Sequence, residues 1–229
     1  MLSAIIVAGG SSQRMGFDKL FATIVGEPVI AHSMRAFEHA TSISEIVVVA
    51  RDRWHDEIRK IASGAGFKKI CAIVPGGERR QDSVRSGLDR IDGDAKYVAV
   101  HDAARPLITP EQIERAFAQC RIYGAAALAQ PVNDTLKRAD ADLLVTSSVD
   151  RHQMYAMQTP QIFERKLIED AYDHVYAENA SVTDEVSAVE RLGHKIALVL
   201  NDDFNFKVTY RHDLPVADFI LRGRANNHR

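Results

Sequence analysis

The first apolar run of the chain, Ala4–Ala8, ends in Gly9-Gly10-Ser11-Ser12-Gln13-Arg14-Met15-Gly16-Phe17-Asp18-Lys19, a loop equipped to hold phosphate. Glycines let backbone N–H groups come close to phosphate oxygens, and Arg14 and Lys19 add positive charge. This is not a Walker loop, since no Gly-Lys-Ser/Thr closes a GxxxxG frame, and it lacks GxGxxG. A glycine turn with two solvated cations has the same composition, so the loop alone leaves both readings open. Gly76-Gly77 follows the apolar run Lys69–Val74 and permits backbone approach to a flat base. Ser83, next to the helix-cap candidate Asp82, is placed either for a base contact or for simple capping. Asp102, just past Tyr97–Val100, offers a carboxylate for Mg²⁺ or a ribose, and Arg105 adds a guanidinium suited to phosphate. His101 has no second histidine at metal-ligand spacing and reads as structural. The hydroxyls of Thr159 and Thr183 suit an acceptor phosphate or diol, whereas Arg151 and Lys207, taken singly, read as solvated surface residues.

These residues need elements to position them. Ala4–Ala8, Glu45–Ala50, Lys69–Val74, Tyr97–Val100 and Ala126–Gln130 are nearly continuous apolar runs, as expected of parallel strands buried on both faces. Helical patterns lie between them at Val29–His39, Trp54–Ala62, Asp82–Ile91 and Glu111–Ile122. Thr109-Pro110-Glu111 reads as an N-cap followed by Pro at the first helical position. The alternation predicts an α/β fold with a Rossmann-like, doubly wound, mostly parallel sheet. From Val132 to Gln153 neither period holds, which predicts a protruding β-arm rather than a second domain. Helices near Lys166–Tyr176 and Thr183–Leu192, a strand at Lys195–Leu200 and a last helix after Asp213 complete a single domain over residues 1–229.

The 29 Lys and Arg against 31 Asp and Glu leave a net charge of −2, which argues against a general nucleic-acid or anionic-membrane binder. At 46% hydrophobic and 26% charged, the composition supports a real core. Cys71 and Cys120 lie far apart without CxxC spacing, so each reads as a core residue of a protein in the reducing cytoplasm. The opening MLSAIIVA is too short for a membrane span and lacks the basic region of a signal peptide.

Taken together, the motifs carry a resemblance. The Gly-Gly-Ser-Ser-x-Arg-Met-Gly-x-Asp-Lys loop looks like the signature of sugar-nucleotide-type nucleotidyltransferases. Gly76-Gly77-Glu78-Arg79-Arg80-Gln81-Asp82-Ser83-Val84 and Val100-His101-Asp102-Ala103-Ala104-Arg105-Pro106 resemble the 2-C-methyl-D-erythritol 4-phosphate cytidylyltransferase family. So do Asp134-Thr135 with Lys137-Arg138, Val149-Asp150-Arg151, Gln158-Thr159-Pro160-Gln161, Thr183-Asp184-Glu185 and Asn205-Phe206-Lys207-Val208-Thr209, in order along nearly the whole chain.

The resemblance implies a nucleotide-diphospho-sugar transferase type of fold and cytidylyl transfer from CTP to 2-C-methyl-D-erythritol 4-phosphate, with pyrophosphate released, in isoprenoid precursor synthesis. It implies Arg14, Lys19, Arg151 and Lys207 as catalytic. Ala8, Gly9, Gly10, Ser11, Gly77, Glu78, Ser83, Asp102 and Ala103 then take the nucleotide, and Arg105, Thr135, Arg151, Thr159, Thr183 and Lys207 the acceptor. Asp102 becomes the ligand of Mg²⁺, or of another divalent cation such as Mn²⁺. The arm at about 132–153 would pack across a two-fold in a homodimer, offering Thr135 and Arg151 to the partner's acceptor site. Ribitol 5-phosphate cytidylyltransferases, other sugar-nucleotide or molybdenum-cofactor nucleotidyltransferases and a catalytically silent nucleotide-binding module are the competing readings. One departure from the family pattern stands out: only four residues separate Arg14 from Lys19, and Asp18 replaces a Pro. The shorter loop must bring Lys19 to the phosphates by a different path.

Overall fold

The computed structural model describes residues 1–10 and 15–227. Its strands are β1 (Leu2–Ala8), β2 (Thr23–Ile24), β3 (Glu27–Pro28), β4 (Ile43–Ala50), β5 (Ile70–Pro75), β6 (Tyr97–Asp102), β7 (Ala125–Pro131), β8 (Leu136–Ala139), β9 (Val145–Val149), β10 (Tyr155–Glu164) and β11 (Ala197–Leu200). Its helices are α1 (Val29–His39), α2 (His55–Gly64), α3 (Arg80–Leu88), α4 (Pro110–Tyr123), α5 (Arg165–Ala177), α6 (Glu185–Glu190) and α7 (Asp213–Asn227). Seven strands share one sheet in the order β11-β7-β10-β6-β1-β4-β5. Every pairing in it is parallel except those of β10, which runs antiparallel to both β6 and β7.

Both faces of this sheet are covered, which is why its strands read as unbroken apolar runs. In β1, Ala4 and Ile6 point into a core shared with α1, α2 and α4, while Ile5 points into the opposite core with α3, α5 and α6. Phe163 and Tyr172 are fully buried in the second core; truncating an aromatic of this kind to Ala costs about 3–5 kcal/mol. The chain leaves β1 for β4 and β5 on one side and returns to β6 on the other. The crevice beyond the carboxyl ends of β1 and β6 is therefore a topological switch point, the place where open α/β sheets bind ligands.

Local signals account for the boundaries. The Thr109 hydroxyl accepts from Gln112 N and the Gln112 side chain accepts from Thr109 N, with Pro110 opening α4 and Gly124 at φ 78° closing it. Asp82 is not the cap of α3: that helix starts at Arg80, and Asp82 reaches back to accept from Arg79 N at 3.0 Å. The helix expected at Thr183–Leu192 is only Glu185–Glu190, because the Asp184 side chain caps it through Ser187 N. Cys120 is buried, but Cys71 is exposed, since β5 is an edge strand with one flank unpaired. Between β7 and β10 the hairpin β8–β9 projects with nearly every residue exposed, and Leu143, Leu144 and Val145 at its tip are 85%, 65% and 66% exposed. Among the described residues, no helix is long and apolar enough to cross a membrane.

Candidate active site

The ends of β1 and β6 open on a cleft of about 250 Å³. Ala8, Gly9 and Gly10 line it beside Gly77, Glu78, Arg79, Arg80 and Ser83, and Asp102, Ala104, Lys19, Arg51 and Lys207 line it as well. Ser11 and Arg14 lie outside the described residues.

The Gly76-Gly77 turn is built around Ser83. Gly77 N donates to Ser83 Oγ at 3.1 Å, and that hydroxyl donates to Arg79 O at 3.3 Å. A Cβ on Gly77 would stand 2.3 Å from Asp82 Cβ, so only glycine lets the turn lie against α3. Asp82 is itself fixed by Arg79 and by the Tyr176 hydroxyl, and the Arg79 bond holds its carboxyl down at about 2. The turn thus lines the cleft packed against α3, with its Gly77 N–H held by Ser83.

Asp102 forms the floor. The residue is 8% exposed, and its carboxylate has three cations around it. Lys207 Nζ donates to Oδ2 at 2.9 Å, Arg80 Nη2 donates to Oδ1 at 3.2 Å, and Arg105 Nε lies 3.8 Å from Oδ2. Burial opposes ionisation here, but Arg80, Lys207 and Arg105 outweigh it and keep the carboxyl well below the usual carboxylate range. Beneath the floor, Asp102 N donates to Thr159 Oγ1 at 3.1 Å, and Thr159 Oγ1 lies 2.9 Å from His101 Nδ1. His101 Nε2 meets Arg105 O at 3.3 Å; since a carbonyl only accepts, Nε2 carries the proton and Nδ1 accepts from Thr159. Burial, with the nearby Arg105 charge adding to it, pushes the imidazole down to about 3, so it stays neutral.

Lys207 is carried by an irregular segment, and buried side-chain amides hold that segment in place. Asn205 Nδ2 donates to Gln158 Oε1 at 3.2 Å and Thr159 O at 2.9 Å, and Asn201 Nδ2 donates to Gln158 Oε1 at 2.9 Å. Val208 N donates to Ala104 O at 2.8 Å. Lys19, at the start of a 3₁₀ turn, sends Nζ to Val208 O at 2.7 Å, bringing both lysines to one side of the cleft. Asp18 caps that turn, accepting from Leu20 N, and its carboxylate lies 3.8 Å from Arg53.

Of the expected site residues, the fold gathers Ala8, Gly9, Gly10, Lys19, Gly77, Glu78, Ser83, Asp102 and Lys207 around the cleft. Others go elsewhere. Ala103 is fully buried, with its N–H donated to Val7 O and its carbonyl accepting from Ser33, and Ala104 lines the cleft instead. Thr159 is 3% exposed, with its hydroxyl bonded to Asp102 N and His101, so it supports the floor rather than lining an acceptor pocket. Arg105 turns inward and donates to Asn205 O at 2.7 Å and Met157 O at 3.3 Å. Thr183 is exposed beside Ser187. Thr135 and Arg151 are exposed on and beside the hairpin, where Arg151 donates to Asn133 O, and neither lines its own chain's cleft. Sequence reasoning singled out neither Arg51 nor Arg80. Arg51 Nε donates to Gly9 O at 3.2 Å, clamping the glycine loop. Among the described residues no three metal-type side chains converge.

Comparison with known proteins fits this geometry. Residues 2–223 match the family model described as 2-C-methyl-D-erythritol 4-phosphate cytidylyltransferase. The chain is 41% identical over 224 residues to the protein of that name from Caldanaerobacter subterraneus subsp. tengcongensis, covering 96% of this chain and 99% of the relative. It is 35% identical over 222 residues to the chloroplastic protein from Oryza sativa subsp. japonica, covering 96% of this chain and 74% of that one. Among solved structures, 4-diphosphocytidyl-2C-methyl-D-erythritol synthase from Anaerococcus prevotii DSM 20548 superposes with a TM-score of 0.84 at 29% identity, covering 97% of this chain and 96% of that one.

Proposed function

The chain belongs to the 2-C-methyl-D-erythritol 4-phosphate cytidylyltransferase family, and from that premise we propose how its residues transfer a cytidylyl group from CTP to 2-C-methyl-D-erythritol 4-phosphate. An oxygen of the acceptor phosphate attacks the α-phosphorus of CTP, the new P–O bond forms in line, and the bond to the β-phosphate breaks to release pyrophosphate. The second pKa of a phosphate monoester is about 6, so the nucleophile is ionised near neutral pH and needs no strong general base. The protein's task is to bring two polyanions together and stabilise the charge on the transferring group.

On this reading Gly77 and Ser83 receive the cytosine edge, and the backbone of Ala8, Gly9 and Gly10 receives the triphosphate, with Glu78 at the rim. Lys19 and Arg14 stabilise the α-phosphate in the transition state, and Lys207 positions the acceptor phosphate. The observation that carries the reading is the Lys207–Asp102 pair at the switch point, facing the Gly77 turn across one cleft. Asp102 is the residue that would hold Mg²⁺ or Mn²⁺. Oδ1 accepts from two Arg80 donors, but Oδ2 accepts from Lys207 alone and keeps a second lone pair, and Mg²⁺ sites commonly combine one or two carboxylates with substrate phosphates. Mg²⁺ held there would neutralise charge on the nucleotide phosphates.

The molecule on this reading is a homodimer, with the hairpin β8–β9 reaching the partner's cleft to supply Thr135 and Arg151. In its support, the hairpin exposes Leu143, Leu144 and Val145, a patch that calls for a cover. Its unpaired cysteines suit a reducing cytoplasm. Pyrophosphate release from CTP and 2-C-methyl-D-erythritol 4-phosphate with Mg²⁺ tests the function. Steady release is expected; none at saturating substrates, or faster release with ribitol 5-phosphate, would overturn it.

A further inference from the structure

Glu185 is fully buried, ionisable and without contact with the cleft. It opens the short helix α6, and three side-chain bonds converge on it. Tyr172 Oη donates to Oε1 at 3.0 Å, Arg80 Nη1 donates to the same oxygen, and Arg80 Nη2 donates to Oε2 at 3.0 Å. Arg80 then extends the series, for its Nε and Nη2 reach Asp102 Oδ1 at 3.4 and 3.2 Å. The other Asp102 oxygen receives Lys207. One continuous series of hydrogen-bonded charges, Glu185–Arg80–Asp102–Lys207, therefore runs from the interior to the cleft.

Stability does not account for such a series. A buried ion pair gains little over an apolar pair of the same volume, because desolvation consumes most of the attraction. What it fixes is geometry: Arg80 is planar, and a bidentate carboxylate sets the direction of its remaining donors. With Glu185 holding one edge, the guanidinium can meet Asp102 Oδ1 from only one side, which leaves Oδ2 to Lys207. Arg80 without its buried carboxylate would be drawn fully onto Asp102, competing with whatever else that carboxylate must hold.

We infer that Glu185 is a positioning residue for the transfer, acting through Arg80 to fix Asp102 and, through it, Lys207. This rests on the roles given above to Asp102 and Lys207. Pyrophosphate release by the unmodified protein is measured first; its absence counts against those roles and not against Glu185. In Glu185→Gln, kcat should fall about 10²-fold, the scale expected when a catalytic group is misplaced by about 1 Å. The affinity for CTP without Mg²⁺, read by calorimetry, should not change. The affinity of the CTP complex for Mn²⁺, read by electron paramagnetic resonance, should fall in parallel with kcat. In an Asp102→Asn background the substitution should cost little more, since its effect passes through that carboxylate. Tyr172→Phe, which removes only the Oη–Oε1 bond, should give a weaker loss of the same pattern and decides the matter if Glu185→Gln does not fold. Unchanged kcat and Mn²⁺ affinity, or losses that multiply fully with Asp102→Asn, would overturn the inference.

Discussion

Lys207 Nζ lies 2.9 Å from Asp102 Oδ2, joining the last irregular segment of the chain to the end of β6 across 105 residues of sequence. The pair is half open to the cleft: the lysine side chain is 40% exposed and the aspartate 11%. An arriving phosphate thus meets an ammonium already oriented by a fixed anion.

Replacing that lysine removes the cation and leaves its carboxylate in place. Lys207→Ala should lower kcat/KM for the acceptor by about 10²–10³-fold, the range for losing one preorganised electrostatic donor. CTP binding should change much less. Steady-state kinetics with each substrate varied in turn would check this; equal losses for both substrates would count against an acceptor role.

Gly77→Ala tests the base-side turn. The new methyl would stand 2.3 Å from Asp82 Cβ, and the turn or the start of α3 must move. Overpacking of this kind costs about 1–3 kcal/mol, and each kcal/mol lowers the melting temperature by about 2–4 °C in a chain of this size. The KM for CTP should rise with it. A variant that melts and binds CTP like the parent would show that the turn tolerates a side chain.

His101 makes stability depend on pH with a defined sign. Its pKa falls from 6.5 in the unfolded chain to about 3 in the folded one, so between those values the unfolded state binds more protons. Stability is complete above pH 6.5 and declines as pH falls toward 3, by about 1.4 kcal/mol per unit from this group. Urea unfolding at pH 6.5 and pH 5 should show the parent losing about 2 kcal/mol more than His101→Gln. A variant with the parent's pH slope would assign the loss to other groups.

The dimer reading is tested by mixing two inactive variants. Arg151→Ala and Lys207→Ala should each be impaired as pure proteins. If the hairpin serves the partner's cleft, a mixed dimer regains one intact site, and random equimolar mixing restores about a quarter of the sites. Mixtures no more active than their components would place Arg151 outside the partner's cleft.

The sequence was most legible where burial was symmetric. The runs underlying β1, β4, β6 and β7 are apolar throughout because both faces of the sheet are covered, and their ends carry the glycine loop and Asp102. Strand β10 was not legible. Its middle is Gln158-Thr159-Pro160-Gln161, a proline among polar residues, and the polar side chains are buried because Gln158 bonds the Lys207 segment, Thr159 the floor and Gln161 the start of α6. A buried polar strand has no period that separates it from a loop. Arg80 and Glu185 were obscured in the same way, since a buried ion pair reads in sequence as two surface charges. Cys71 misled for a different reason: its apolar run does not say whether a strand is central or at an edge. Thr159 and Arg105 were legible as neighbours of Asp102, but not their bonds to Asp102 N, Asn205 O and Met157 O, because sequence order does not tell which way a side chain turns.

The segment around Lys207 has a consequence for how the enzyme comes into being. Lys19 Nζ rests on Val208 O, and Val208 N on Ala104 O, so residues from the beginning and middle of the chain close the cleft only against its last tenth or so. Until that last segment is made, the chain lacks both the second lysine and the carbonyl that orients the first. A chain interrupted before Lys207 therefore lacks, besides α7, both contacts through which this last segment closes the cleft.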